Sequence, residues 1–168
     1  LEINPTLVIS ADKGSSDEPR IKILADAGID VIVTDHHEIP TEGPPRSAFA
    51  VVNPTRAESR YDPYICGAAV AFLTMAKVRS TLMSRGLRQN VRSLTGLLDM
   101  VAVATIADCV ALRPNKSYAN RVFVRKGLEI LNRRLRPCWT VFCDQMHGPV
   151  NAEAVAFRLA PAVAAAGR

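Results

Sequence analysis

Two short apolar runs, one helix-length apart, constrain this chain more than any other feature. Thr6 to Ser10 is rich in β-branched and apolar residues, and Asp30 to Thr34 repeats that character through Val31, Ile32 and Val33. Between them Ile21, Leu24 and Ala25 share one helical face, and Gly28 stands at the expected C-terminus. Ser15 and Glu18 have capping-box spacing, and Pro19 suits a first helical turn. Strand, helix and strand within about thirty residues is the βαβ pattern. It requires parallel strands, which are normally covered on both faces.

The later chain changes character. Glu38 to Asp62 is loop-rich, with Pro40, Pro44, Pro45 and Pro54, and holds a candidate third strand at Ala50 to Val52. After Gly67 apolar residues recur at helical spacing: Ala71, Met75, Val78 and Leu82, then Leu94, Leu97, Leu98 and Val101, then Val124, Leu128, Leu131 and Leu135. Arg136 to Pro149 reads as irregular, with Trp139, Val141 and Phe142 in a strand or packed loop, and Asn151 to Leu159 as a weaker helix. No linker composition divides the chain. The expected fold is α/β, a parallel sheet flanked by helices, with a helical second half.

Composition narrows the function classes. A content of 48% hydrophobic and 22% charged residues fits a globular protein and excludes disorder. No apolar run approaches a bilayer span, and no secretory signal is visible, so no membrane partner is expected. The four cysteines form no C-x-x-C pair and read as reduced thiols of a cytoplasmic protein. Cys138, Cys143 and His147 lack an obvious fourth zinc ligand. The net charge of +5 is concentrated: Arg113 to Arg136 holds eight basic residues and one acid, Glu129. Such a stretch is either a surface for a polyanion or a solvated face, and charge alone leaves both open.

Asp35, His36 and His37 follow the second strand directly, and Asp12 follows the first. Ligands of parallel α/β sheets bind beyond the carboxyl ends of strands. Nitrogen and oxygen donors there suit a divalent ion such as manganese. Asp108 is a third acid beside an apolar run. Singly, each residue has a plainer reading as a turn, cap or surface group. The residues alone leave a metal site and that plainer reading both standing.

Val31-Ile-Val-Thr-Asp-His-His-Glu38 resembles the signature of the DHH phosphoesterase superfamily, in particular its RecJ-like exonucleases. Further segments match in order: Leu7 to Gly14, Cys66 to Phe72, Ala107 to Leu112, Asn120-Arg121 with Gly127-Leu128, and Phe157 to Pro161 through Arg168. The resemblance implies that Asp12 bridges two Mn2+ or Mg2+ ions and that His36 and Asp108 complete the ligands of one. It implies that Asp35 orients a histidine and that His37 faces the scissile phosphate. Arg121, Arg125, Lys126 and Arg168 are the candidate nucleic-acid contacts. The implied activity is 5′ to 3′ hydrolysis of single-stranded DNA in repair and recombination, with repair or replication proteins as further candidate partners.

The departures shape the expectation. The family's H-x-D-x-D motif does not occur in the eleven residues before Asp12, and Ala162 and Ala164 stand where Arg and Asn are usual. Lys13 replaces a small residue and Ala69 a glycine. Residues 1–168 therefore read as a partial DHH catalytic domain, lacking the first metal motif and the C-terminal substrate-binding domain. Alone, such a fragment is expected to be inactive. Two alternatives are a phosphodiesterase for short oligonucleotides or cyclic dinucleotides, and a catalytically degenerate DNA-binding scaffold.

Overall fold

The computed structural model describes residues 3–87, 91–113 and 115–166. The chain falls into two compact units, Leu1–Val78 and Arg79–Arg168. The division lies inside a helix, which is why no linker composition marks it.

The first unit holds β1 (Leu7–Ala11), α1 (Glu18–Asp26), β2 (Asp30–Thr34), β3 (Ala50–Val52) and the start of α2 (Gly67–Ser84). The sheet order is β1-β2-β3, all parallel. Its register pairs Ser10 with Val33 and Ala11 with Thr34, so β1 and β2 end level. Side chains alternate across a strand, and α1 sits on one face. Ile21 packs there on Val31 and Val33, with Val8, Leu24 and Val51 around them. Each such burial contributes about 1.5–3 kcal/mol.

Three expectations change here. The sheet is not covered on both faces at β1, where Leu7 and Ile9 are 45% and 54% exposed. The crossover helix covers only the face carrying Val8. The capping box does not form: α1 begins at Glu18 behind Asp17, and the Glu18 carboxylate instead accepts from the N–H (3.1 Å) and hydroxyl (2.7 Å) of Ser47. The helical stretch after Gly67 is present, but Met75 and Val78 are exposed, and α2 buries Gly67, Ala69 and Val70 instead. Small residues let its first turn approach closely.

The second unit is helical. A 3₁₀ turn (Thr95–Leu97) leads into α3 (Leu98–Ala107), followed by α4 (Tyr118–Leu131) and α5 (Pro137–Asp144). Then come α6 (Ala152–Ala154), a π-helical turn (Val155–Leu159) and α7 (Ala160–Ala166). Gly127 lets α4 meet α3, since a Cβ there would overlap Ala102 Cβ and the Leu98 carbonyl. The core gathers Ile106, Val124, Leu131, Trp139, Cys143, Val150, Val155 and Leu159. Buried Asp99 accepts from Trp139 Nε1 (2.6 Å) and pairs with Arg136 Nε (2.6 Å).

The irregular or strand reading of Arg136 to Pro149 is corrected to a helix over Pro137–Asp144. Proline opens it, where its missing N–H costs nothing. Leu135 lies beyond α4 and is exposed. The helix expected at Asn151 is present, and Asn151 caps it by accepting from Ala154 N (2.9 Å). The π turn lies just before Pro161, which cannot donate a helical bond. No helix among the described residues is long and apolar enough to cross a membrane.

Candidate metal centre

The level ends of β1 and β2 put two sets of polar residues side by side. Asp12 extends the β1 ladder by one bond, its N–H donating to Thr34 O at 2.9 Å. Its φ of 63° lies in the left-handed region, which aspartate tolerates better than most residues. The start of α2 presses against it: a Cβ on Gly67 would overlap Asp12 Oδ1 and lie 2.7 Å from Asp12 Cα and Cβ. Only glycine fits there without displacing the aspartate.

β2 delivers the other set. The Asp35 N–H donates to Val52 O, and its side chain turns inward, with the residue only 1% exposed. Its carboxylate accepts from Ser15 N (2.9 Å), His36 N (2.8 Å) and His37 N (3.3 Å). It also meets His37 Nδ1 at 2.7 Å. Burial pushes the Asp35 pKa up, but these hydrogen bonds from Ser15, His37 and His36 outweigh it and hold the carboxyl well below the usual carboxylate range. An ionised carboxylate only accepts, so Nδ1 of His37 carries a proton.

His36 is mostly buried, and its Nε2 lies 3.1 Å from Asp12 Oδ1. The rings of His36 and His37 have centroids 4.6 Å apart at 58°. One ligand atom from each of Asp12, His36 and His37 lies within 4.8 Å of the others. One carboxylate oxygen and two imidazole nitrogens at this spacing suit a divalent first-row ion. The donor chemistry therefore fits a metal.

Three contributors were not singled out from the sequence for this site. Ser15 holds Asp35 instead of capping a helix. Buried Asn53 donates to Ser15 Oγ (2.8 Å) and to His37 O (2.8 Å), and accepts from Thr55 N (2.8 Å) and Thr55 Oγ1 (2.8 Å). It stands just past β3, the strand-end position that drew attention to Asp12 and Asp35. Gly67 was visible as a helix start, but its contact with Asp12 was not.

The remaining candidates lie in the second unit. Asp108 is exposed at the C-cap of α3, its N–H bonded to Ala104 O at 2.9 Å. Arg121 and Arg125 are exposed on α4, Arg121 reaching Leu112 O at 3.5 Å. Lys126 pairs with Glu129 at 2.9 Å. Arg168 lies outside the described residues. Cys143 is buried in the core while Cys138 is exposed, as separate turns of α5 require.

Comparison with known proteins identifies the family of this chain and supports its fold. The DHH family, N-terminal domain, matches residues 2–105. Single-stranded-DNA-specific exonuclease RecJ of Haemophilus influenzae is 36% identical over 141 residues, 82% of this chain and 23% of that protein. RecJ of Bacillus subtilis is 33% identical over 168 residues, 97% of this chain and 19% of that protein. Among solved structures, exonuclease RecJ bound to manganese superposes with a TM-score of 0.74 at 28% identity, covering 93% of this chain and 37% of that one. RecJ in complex with Mn2+ from Thermus thermophilus gives 0.72 at 29% identity, covering 96% and 23%. The chain thus spans about a fifth of the length of these two curated relatives.

Proposed function

This chain belongs to the DHH family, and on that premise we propose that it is part of the catalytic core of a RecJ-like exonuclease that hydrolyses single-stranded DNA from the 5′ end. The observation that carries the reading is the convergence of Asp12, His36 and His37 at the carboxyl edge of the sheet, around an ionised Asp35.

Asp12 and His36 would hold a divalent cation, manganese or magnesium, and on the family resemblance Asp12 would also serve a second ion. When bound, such a cation lowers the pKa of a coordinated water and offsets charge on phosphoryl oxygens. The chain's own residues then divide the remaining work. Asp35 fixes the tautomer of His37 through the 2.7 Å bond to Nδ1. His37, the most exposed of the three, directs Nε2 toward the phosphodiester. Ser15 and Asn53 keep that arrangement from relaxing: the Ser15 N–H donates to Asp35, and Asn53 donates to both Ser15 Oγ and the His37 carbonyl. Gly67 keeps the Asp12 carboxylate in place. The convergence of Asp12, His36 and His37 favours an enzyme over a degenerate scaffold.

Asp108 enters as a ligand, and Arg121, Arg125, Lys126 and Arg168 as DNA contacts, on the family resemblance and the charge alone. The test is a manganese-dependent nuclease assay on the gene product containing this chain, with a single strand labelled at either end. Loss of cleavage in Asp12→Ala and Asp108→Ala supports the reading, and full activity in either removes that residue. His37→Ala is expected to slow cleavage while sparing manganese affinity. A fall in affinity instead would make His37 a ligand.

A further inference from the structure

Some of the basic residues of Arg113 to Arg136 are already paired. Lys126 pairs with Glu129, Arg134 with Asp144 at 2.6 Å, and Arg136 with buried Asp99. Arg121 and Arg125 form no ion pair among the described residues, although they stand four apart on α4 and repel each other. They flank a pocket of about 330 Å³ lined by Leu112, Tyr118, Arg121, Val122, Val124 and Arg125. That is the small end of the range for ligand sites, roughly 300–1,000 Å³.

The lining is ordered by chemistry. Leu112 and Val124 belong to the helical core and its apolar border, so the floor is apolar. Tyr118 opens α4 and is 72% exposed, a large aromatic ring left in solvent. At helical spacing Tyr118, Arg121, Val122 and Arg125 share one face. An apolar floor, an open aromatic ring and two guanidiniums outside any ion pair among the described residues match a nucleotide: a flat base with a phosphate on either side.

We propose that this pocket seats one nucleotide of a single strand, its base stacked on Tyr118 and its flanking phosphates on Arg121 and Arg125. The assignment rests on the single-strand substrate proposed above but not on the metal centre. It selects Arg121 and Arg125 over Lys126 within the basic stretch, and it adds an aromatic platform that charge could not reveal.

The test is fluorescence anisotropy of a labelled oligothymidine titrated with the 168-residue chain in EDTA, across a range of salt. Tyr118→Ala is expected to weaken binding about tenfold, and Tyr118→Phe to bind like the parent. Arg125→Gln, which breaks no hydrogen bond of the fold, is expected to flatten the slope of log K against log salt by about 0.7, and Arg121→Gln with Arg125→Gln by about 1.4. Tyr118→Ala binding like the parent overturns the proposal, as does a parent chain that does not bind the oligonucleotide. A manganese titration of the same chain stands apart: manganese binding with no effect of Tyr118→Ala removes the pocket and leaves the metal centre.

Discussion

Replacing Gly67 by alanine separates the geometry of the metal centre from its chemistry, because it alters no ligand. The added methyl would overlap Asp12 Oδ1 and lie 2.7 Å from Asp12 Cα and Cβ. Rotating the carboxylate relieves only the first contact. The other two atoms move only with the backbone of Asp12, which the N–H bond to Thr34 O holds. Overpacking of this kind costs about 1–3 kcal/mol. The alanine recovers less than the ~1 kcal/mol seen in helix interiors, because position 67 is the first of α2. For a chain of this length each kcal/mol lowers Tm by about 2–4 °C, so a fall of roughly 2–8 °C is expected by thermal denaturation. Manganese affinity, read by isothermal titration, is expected to fall at least tenfold, because Asp12 is displaced. Gly96→Ala is the control, since a Cβ there meets nothing within 4 Å. Gly67→Ala with parental Tm and parental manganese affinity would refute the steric reasoning.

Other substitutions probe different parts of the structure. Gly127→Ala is expected to lower Tm through the α3–α4 contact but to leave manganese affinity unchanged, which titration of the surviving folded protein checks. Asp35→Asn removes the ionised acceptor of the bonds from Ser15, His36 and His37; a loss of about 1–3 kcal/mol in denaturant unfolding is expected, with slower cleavage in the gene product containing this chain. Asp99→Asn removes the buried charge that pairs with Arg136, whose pKa Asp99 raises, and should lower the urea midpoint without touching the metal. Glu18 has its folded-state pKa lowered by the Ser47 hydroxyl and N–H. Its contribution is therefore present above the ordinary glutamate range and lost as pH falls through the folded value. Ser47→Ala should be less stable than the parent near neutrality and converge with it in acid, as parallel unfolding curves at two pH values would show.

The parts of this protein legible in the sequence are those fixed by neighbours along the chain. β1 and β2 are readable because β-branched runs end in turn residues, and the Asp-His-His run is readable because it follows one of them directly. Whatever depends on distant partners is not. Glu18 abandons Ser15 for Ser47, 29 positions on. The inward face of α2 is set by contact of Gly67 with Asp12, not by its larger apolar residues, so Met75 and Val78 mislead. α5 is eight residues long and rich in weak helix formers; its N-terminal Pro137 and the Trp139 bond to Asp99 stabilise it. The basic stretch looks uniform because its acidic partners Asp99 and Asp144 lie outside it.

The central claim is that Asp12 and His36 grip a divalent cation at the end of the sheet. Isothermal titration of manganese into the 168-residue chain tests it most directly, with Asp12→Ala and His36→Ala alongside and circular dichroism to confirm folding. The expected result is saturable binding by the parent chain, weakened at least tenfold in each variant. Folded variants that bind manganese as the parent does, or a parent that does not bind it, would contradict the account.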